Sequence, residues 1–141
     1  MSRDRDGQGG FVATELAFGV AVLVLPVALL VLTFPRWSER QVTARVIARE
    51  LARRAARDGV CEQADAQATA ATMARNLAVA AADVDVELAC IDGSALEPGA
   101  DVEARVTVAM PAVQLPGVGP VGAWSWTAQH REPVDRYASA R

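Results

Sequence analysis

The chain has 141 residues, room for one domain, and 52% of them are hydrophobic although only 5% are aromatic, so any soluble core is built from small side chains such as Ala and Val. The net charge is −3 and every one of the 14 basic residues is Arg, a balance that argues against a general nucleic-acid-binding surface. One His and two Cys, without a Cys-x-x-Cys pair, exclude zinc modules and thioredoxin-like redox chemistry, and no motif calls for a metal, a cofactor or a small-molecule substrate.

The chain opens with a short polar stretch, Met1 to Gly10, that is rich in charge and ends in Gly. From Phe11 to Phe34 the sequence FVATELAFGVAVLVLPVALLVLTF carries a single charge. As a helix these residues would rise roughly 36 Å, enough to cross a bilayer with some tilt. A secretory signal peptide has a shorter apolar stretch, about 7–15 residues, followed by a small-x-small cleavage site. This run instead ends in Leu32-Thr33-Phe34-Pro35, and the remaining chain is too small to bury a helix so uniformly apolar. A membrane span over residues 11–35 is the expectation.

Glu15 lies one turn inside that span. An ionised carboxylate costs roughly 2.5–3.5 kcal/mol at the centre of a membrane helix and less near the interface. It therefore either snorkels to the headgroups or has a partner. Pro26 removes one backbone hydrogen bond in mid-span and reads as a tolerated kink or as a hinge for packing. Pro35 and Trp37 mark the interface, where an indole is at home.

Ser38 to Arg57 predicts a helix with a small apolar stripe of Ala44, Ile47, Ala48, Leu51 and Ala55. Arg45, Arg49, Arg53 and Arg57 project from the other face, as a solvated surface or as a contact for lipid headgroups or an acidic partner. Glu50 and Arg54 form a favourable i,i+4 pair, and Asp58-Gly59 ends the helix. Cys61 and Cys90 flank a second helix from about Glu62 to Ala82, with Ala66, Ala70, Met73, Leu77 and Ala80 on its inward face. The two cysteines are either buried thiols or, in an exported domain, a disulfide contributing roughly 3–4 kcal/mol.

After Ala82 the period becomes alternating. Val84, Val86, Leu88 and Cys90, then Val102, Ala104, Val106, Val108 and Met110, predict two half-buried antiparallel strands. Turns are expected at Asp92-Gly93-Ser94 and Glu97-Pro98-Gly99. Pro111 to Pro120 reads as a break in regular structure, with Gly117-Val118-Gly119 as turn chemistry. Gly122 to His130 returns as a third strand, with Trp124 and Trp126 facing the core, and the chain frays from Glu132 to Arg141. His130, with Asp135, Ser125 or Ser139 as neighbours, forms no catalytic constellation, so the chain is not expected to be an enzyme. The fold class is α+β: a long N-terminal transmembrane helix, a second helix and a small antiparallel sheet.

A polar leader ending in Gly10, then Phe11, then Glu15 as the fifth residue of the cut chain, resembles the processing site of type IV prepilins and pseudopilins. Leu16 after Glu15, Leu25-Pro26 in mid-helix, the following Arg/Ala-rich helix and about a hundred residues beyond the span narrow the resemblance to the TadE-like minor pseudopilins of the tight-adherence (Flp) pilus system. Val before the Glu and a small residue after the cut are common in that family, whereas this chain has Thr14 and Phe11. The resemblance implies a leader of residues 1–10, a span of 11–35, a helical extension of 36–59, an exported α+β domain of 60–131 and a flexible tail of 132–141. It also implies a place in the bacterial cytoplasmic membrane, in contact with lipid. The implied partners are a prepilin peptidase, other pilins or pseudopilins and the inner-membrane assembly platform, with Glu15 pairing to a neighbour's Phe11 amine. The positive-inside rule points the other way, because Arg36, Arg40, Arg45, Arg49, Arg53 and Arg54 follow the span; the expectation adopted is the family's, with the C-terminal part outside. A second reading is an uncut single-pass subunit of an envelope complex whose exported domain is a binding module.

Overall fold

The structure, a computed structural model, describes residues 9–90, 96, 98–115 and 117–135. The leader up to residue 8, the turn expected at Asp92-Gly93-Ser94, Glu97, Pro116 and the tail from Arg136, including Ser139, lie outside the described residues. The chain divides into two compact units, Met1–Pro35 and Arg36–Arg141.

Helix α1 (Gly9–Asp58) contains both Pro26 and Pro35. In the first unit its large apolar side chains from Leu16 to Phe34 stand exposed, from 53% at Val20 to 72% at Phe18, except for a half-buried Leu29. Left in water, such a run would forgo on the order of tens of kcal/mol of burial. This helix is long and apolar enough to cross a membrane. Thr33, the polar residue near the end of the run, turns its hydroxyl back onto the Leu29 and Leu30 carbonyls at 2.9 and 3.1 Å, which satisfies it without outside help.

The second unit contains the lower part of α1, helix α2 (Gln63–Asn76), a 3₁₀ turn (Ala81–Asp83) and strands β1 (Val84–Cys90), β2 (Asp101–Met110), β3 (Val113–Leu115), β4 (Gly119–Val121) and β5 (Trp124–Pro133). β1, β2 and β5 form an antiparallel sheet with β2 in the centre, and β3 and β4 form a separate hairpin. The architecture is thus the expected α+β. One face of α1 presents Ala44, Ile47, Ala48, Leu51 and Ala52 to a core shared with Val84, Val86, Ala104, Val106, Val108 and Ala128. Ala55 and Ala56 continue that face into a second cluster with Ala100, Val102 and Val134. The buried stripe is wider than expected, gaining Ala52 and Ala56, because the helix lies over a sheet rather than a single neighbouring element.

Gly59, at φ +66°, ends α1, and its N–H donates to the Ala55 carbonyl at 3.0 Å. Cys61, just beyond, is joined to Cys90 at the end of β1 by a disulfide, with a Cα separation of 6.4 Å. Trp37 and Arg40 tie α1 to the far end of the sheet. The Trp37 indole N–H donates to the Pro111 carbonyl at 3.1 Å, and Arg40 pairs with Asp83 at 2.9 Å.

Several boundaries differ from expectation. The second helix stops at Asn76, six residues before Ala82. The Val79 N–H bonds to the Ala74 carbonyl at 2.8 Å and the Ala78 N–H to the Arg75 carbonyl at 3.1 Å, the paired bonds of a Schellman cap, with Ala78 left-handed at φ +57°. That position usually holds Gly, so the sequence gives no stop signal there. The buried face of α2 is Ala66, Ala70 and Ala74, while Leu77 is 45% exposed and Ala80 is exposed. The segment expected to break regular structure forms the β3–β4 hairpin, with Gly117 and Gly119 at positive φ in and beside its turn. Pro120 is tolerated because both strands of a two-stranded ladder are edges. β5 continues through Glu132 and Pro133, and the Val134 N–H donates to Ala100 at 2.8 Å, so the fraying expected from Glu132 does not begin there. Trp126 packs against the core, but Trp124 is 42% exposed; it starts β5 opposite Met110, where α1 meets it edge-on with Trp37 at 5.9 Å between ring centroids.

The cap at Ala78 is directly testable. A left-handed Ala costs about 1–2 kcal/mol and Gly recovers most of it against its own entropy, so Ala78→Gly should stabilise the folded chain by about 0.5–1 kcal/mol, read as a raised midpoint of thermal unfolding. A lowered midpoint would show that the Ala methyl contributes more than its strain costs.

Candidate functional site

Two regions carry residues that could serve function. The first is the upper part of α1. Gly10 and Phe11 lie within the helix from its first turn, and Glu15 follows Phe11 by four residues, about 6 Å along the axis. Glu15, Leu16, Gly19, Val20, Leu23 and Val24 line a shallow apolar groove along one side of this helix. A Cβ built on Gly19 would meet only open space. Gly19, one turn from the carboxylate, therefore notches the surface where a neighbouring helix can approach closely. The sequence signal for this position is a Gly four residues after the one carboxylate of an apolar run. Pro26 lies farther along the same helix, outside that groove.

The second region is the domain of residues 36–135. Its sheet turns two chemically different faces outward from β2. On the face away from the helices, Glu103 is only 5% exposed, because two guanidinium groups close over it. Arg131 donates from Nε to Oε2 at 2.6 Å and Arg105 from Nε to Oε1 at 2.7 Å, while Arg105 also reaches Glu87 at 3.8 Å. The strand register makes this possible: Glu103 lies directly opposite Arg131, and Glu87 opposite Arg105. The Arg131 hydrogen bond first, and the Arg105 bond second, hold the Glu103 carboxyl below the ordinary carboxylate range against the opposing effect of burial. Alternation along β2 by itself puts Glu103 on the face opposite Val102 and Ala104 and gives no sign that it is buried.

On the helix side, the arginine column is not simply solvated. Arg45 stacks on Trp126 with its guanidinium carbon 5.0 Å from the ring centroid, and Arg53 approaches Glu132 at 4.0 Å. Arg54 pairs with Asp58 and Asp65, at 3.7 and 3.9 Å. Arg45 and Arg49 form one wall of a groove of about 450 Å³, and β5 from Trp126 to His130 forms the other. His130 Nε2 lies 3.1 Å from a Glu132 oxygen. Ser125 belongs to the opposite face of β5, an odd number of residues from His130, so the two do not meet. Cys61 and Cys90 are joined by a disulfide; in the loop-entropy description such a closure contributes roughly 3–4 kcal/mol.

No known protein family, curated protein or solved structure matches the chain.

The buried charge cluster has a pH signature. A carboxylate whose pKa is depressed in the folded state contributes stability that is present above its unfolded value and lost as pH falls through the folded one. Stability should therefore decline from about pH 4.5 downward. Glu103→Gln should be less stable than the parent at pH 7 and show a flatter decline in that acid range, measured by thermal unfolding across pH. Parallel curves for the two proteins would remove Glu103 from the account.

Proposed function

We propose that this chain is a TadE-like minor pseudopilin, an inner-membrane protein cut after Gly10 that assists assembly of an Flp-type pilus or a secretion pseudopilus. The observation that carries the reading is the spacing of Gly10, Phe11 and Glu15 at the start of an apolar helix. Cleavage after Gly10 releases the Phe11 amine about one turn from Glu15. In a neighbouring helix shifted by that turn, the amine of one subunit meets the carboxylate of the next. At an effective dielectric of about 20 such a pair at 4 Å attracts by about 4 kcal/mol, comparable with the roughly 3 kcal/mol that an unpartnered carboxylate costs in a membrane helix. The pair therefore favours one register over its neighbours. The Gly19 notch supports close approach of the second helix, and Pro26 gives the span a place to bend into a filament base or platform.

The partners in this reading are a prepilin peptidase, other pilins or pseudopilins, the inner-membrane assembly platform and membrane lipid. The Cys61–Cys90 disulfide supports an extracytoplasmic C-terminal domain, since such bonds persist in oxidising compartments. It weighs against the arginine-based orientation.

Intact mass of the protein from its native membrane, with and without the host peptidase, tests the reading. The expected result is loss of Met1 to Gly10 only when the peptidase is present, and a further loss of two hydrogens for the oxidised cysteine pair. Glu15→Ala should insert normally yet lower piliation by at least about tenfold, the equivalent of about 1.4 kcal/mol of lost pairing. A full-length chain under both conditions would overturn the pseudopilin reading and leave an uncut single-pass subunit with a binding module.

A further inference from the structure

We propose that the outer edge of β5 is a docking site for an extended acidic segment of a partner protein, which adds to the sheet as a further strand. The inference rests on the domain alone and does not depend on the pseudopilin reading.

The two edges of the sheet are treated differently. On the β1 edge, two side-chain amides from α2 stand in for a neighbouring strand. Gln67 accepts from the Val86 N–H at 3.1 Å and donates to the Val84 carbonyl at 3.2 Å. Gln63 accepts from the Leu88 N–H at 2.9 Å and donates to the Val86 carbonyl. That edge is closed to strand pairing. At the β5 edge, no strand lies beyond β5 among the described residues.

The register states which backbone groups the open edge offers. Val86 points its N–H and C=O away from β2, so its partner Val106 points away from β1 and toward Ala128. Alternation then turns the N–H and C=O groups of Ser125, Thr127, Gln129 and Arg131 outward. β5 is ten residues long, and an unprotected edge of that length is a template for pairing.

Charge selects the occupant. Alternate side chains of an added strand would project toward α1, into the groove walled by Arg45 and Arg49, both of them exposed. Arg53 is partly neutralised by Glu132, but Arg49 has open groove before it. Acidic residues at every second position of the partner match this wall. The chain itself does not supply such a strand. Its acidic strand β1 is closed by the glutamines, and residues 136–141 carry Arg136 and Arg141 with no acidic residue.

The test uses the full-length protein in nanodiscs and an end-blocked synthetic peptide of alternating Glu and Val, about as long as β5. Amide hydrogen exchange is followed residue by residue. The peptide is expected to slow exchange at Thr127, Gln129 and Arg131 by at least about tenfold and to leave Val86 and Leu88 unchanged. Arg49→Glu should weaken the acidic peptide by at least about tenfold and favour a peptide with Lys in place of Glu. Gln129→Pro removes one outward N–H without touching the ladder to β2 and should abolish protection; Arg49→Glu, on an exposed helix face, keeps the test valid if the proline variant misfolds. Three results overturn the proposal: no protection at any soluble peptide concentration, equal binding of the Lys peptide to the parent protein, or protection of the β5 amides that rises with protein concentration alone, which would put a second copy on the edge.

Discussion

The contact between the alanine-rich face of α1 and the valine-rich face of the sheet organises residues 36–135. Ala44, Ala48, Ala52, Ala55 and Ala56 are buried on one side, and Val84, Val86, Val102, Val106 and Val108 on the other. Small side chains allow close approach, but each removes little apolar area from water. Ile47 is the largest fully buried side chain on the helix face. A core of this kind leaves more of the stabilisation to covalent and polar ties. The Cys61–Cys90 bond, the Trp37 hydrogen bond to Pro111, the Arg40–Asp83 pair and the glutamines that clasp β1 all lie around its margin.

The same helix is written for two solvents. From Leu16 to Phe34 its large apolar side chains, apart from the half-buried Leu29, are exposed, which suits hydrocarbon. From Thr43 to Ala56 the buried positions recur on one side only, with arginines on the other. The change occurs around Pro35, Arg36 and Trp37, where the chain also divides into its two compact units.

Charge is distributed with equal asymmetry. Around Glu103 the guanidinium groups of Arg105, on the same strand, and of Arg131, on the neighbouring strand, are committed to its carboxylate, so they contribute structure rather than an open cationic surface. Along α1, Arg45 and Arg49 border an open groove, while Arg40, Arg53 and Arg54 each have a carboxylate within 4.0 Å. Net charge does not reveal this, because an acidic chain can still present a local cationic wall.

Much was legible in the sequence because it rests on short-range periodicity. The uniform apolar run, the Ala44–Ala55 stripe, the Asp58-Gly59 stop and the alternation of Val84–Cys90 and Val102–Met110 each follow from repeat lengths of 3.6 or 2 residues. What remained hidden depends on residues distant in sequence or on backbone states that the residue type does not advertise. Ala78 adopts the left-handed cap because Val79 gains burial beside Ala74. Glu103 is covered only because the register places Arg131 opposite it, and Gln63 and Gln67 close an edge only because α2 lies beside β1. The sequence by itself therefore determined the apolar run long enough to cross a membrane, the order of the two helices and three longer strands, and which face of those strands is apolar, since these follow from local pattern. Only the tertiary structure decided which sheet edge is sealed, which arginines are neutralised and where the cationic groove lies, since these arise from contacts between elements far apart along the chain.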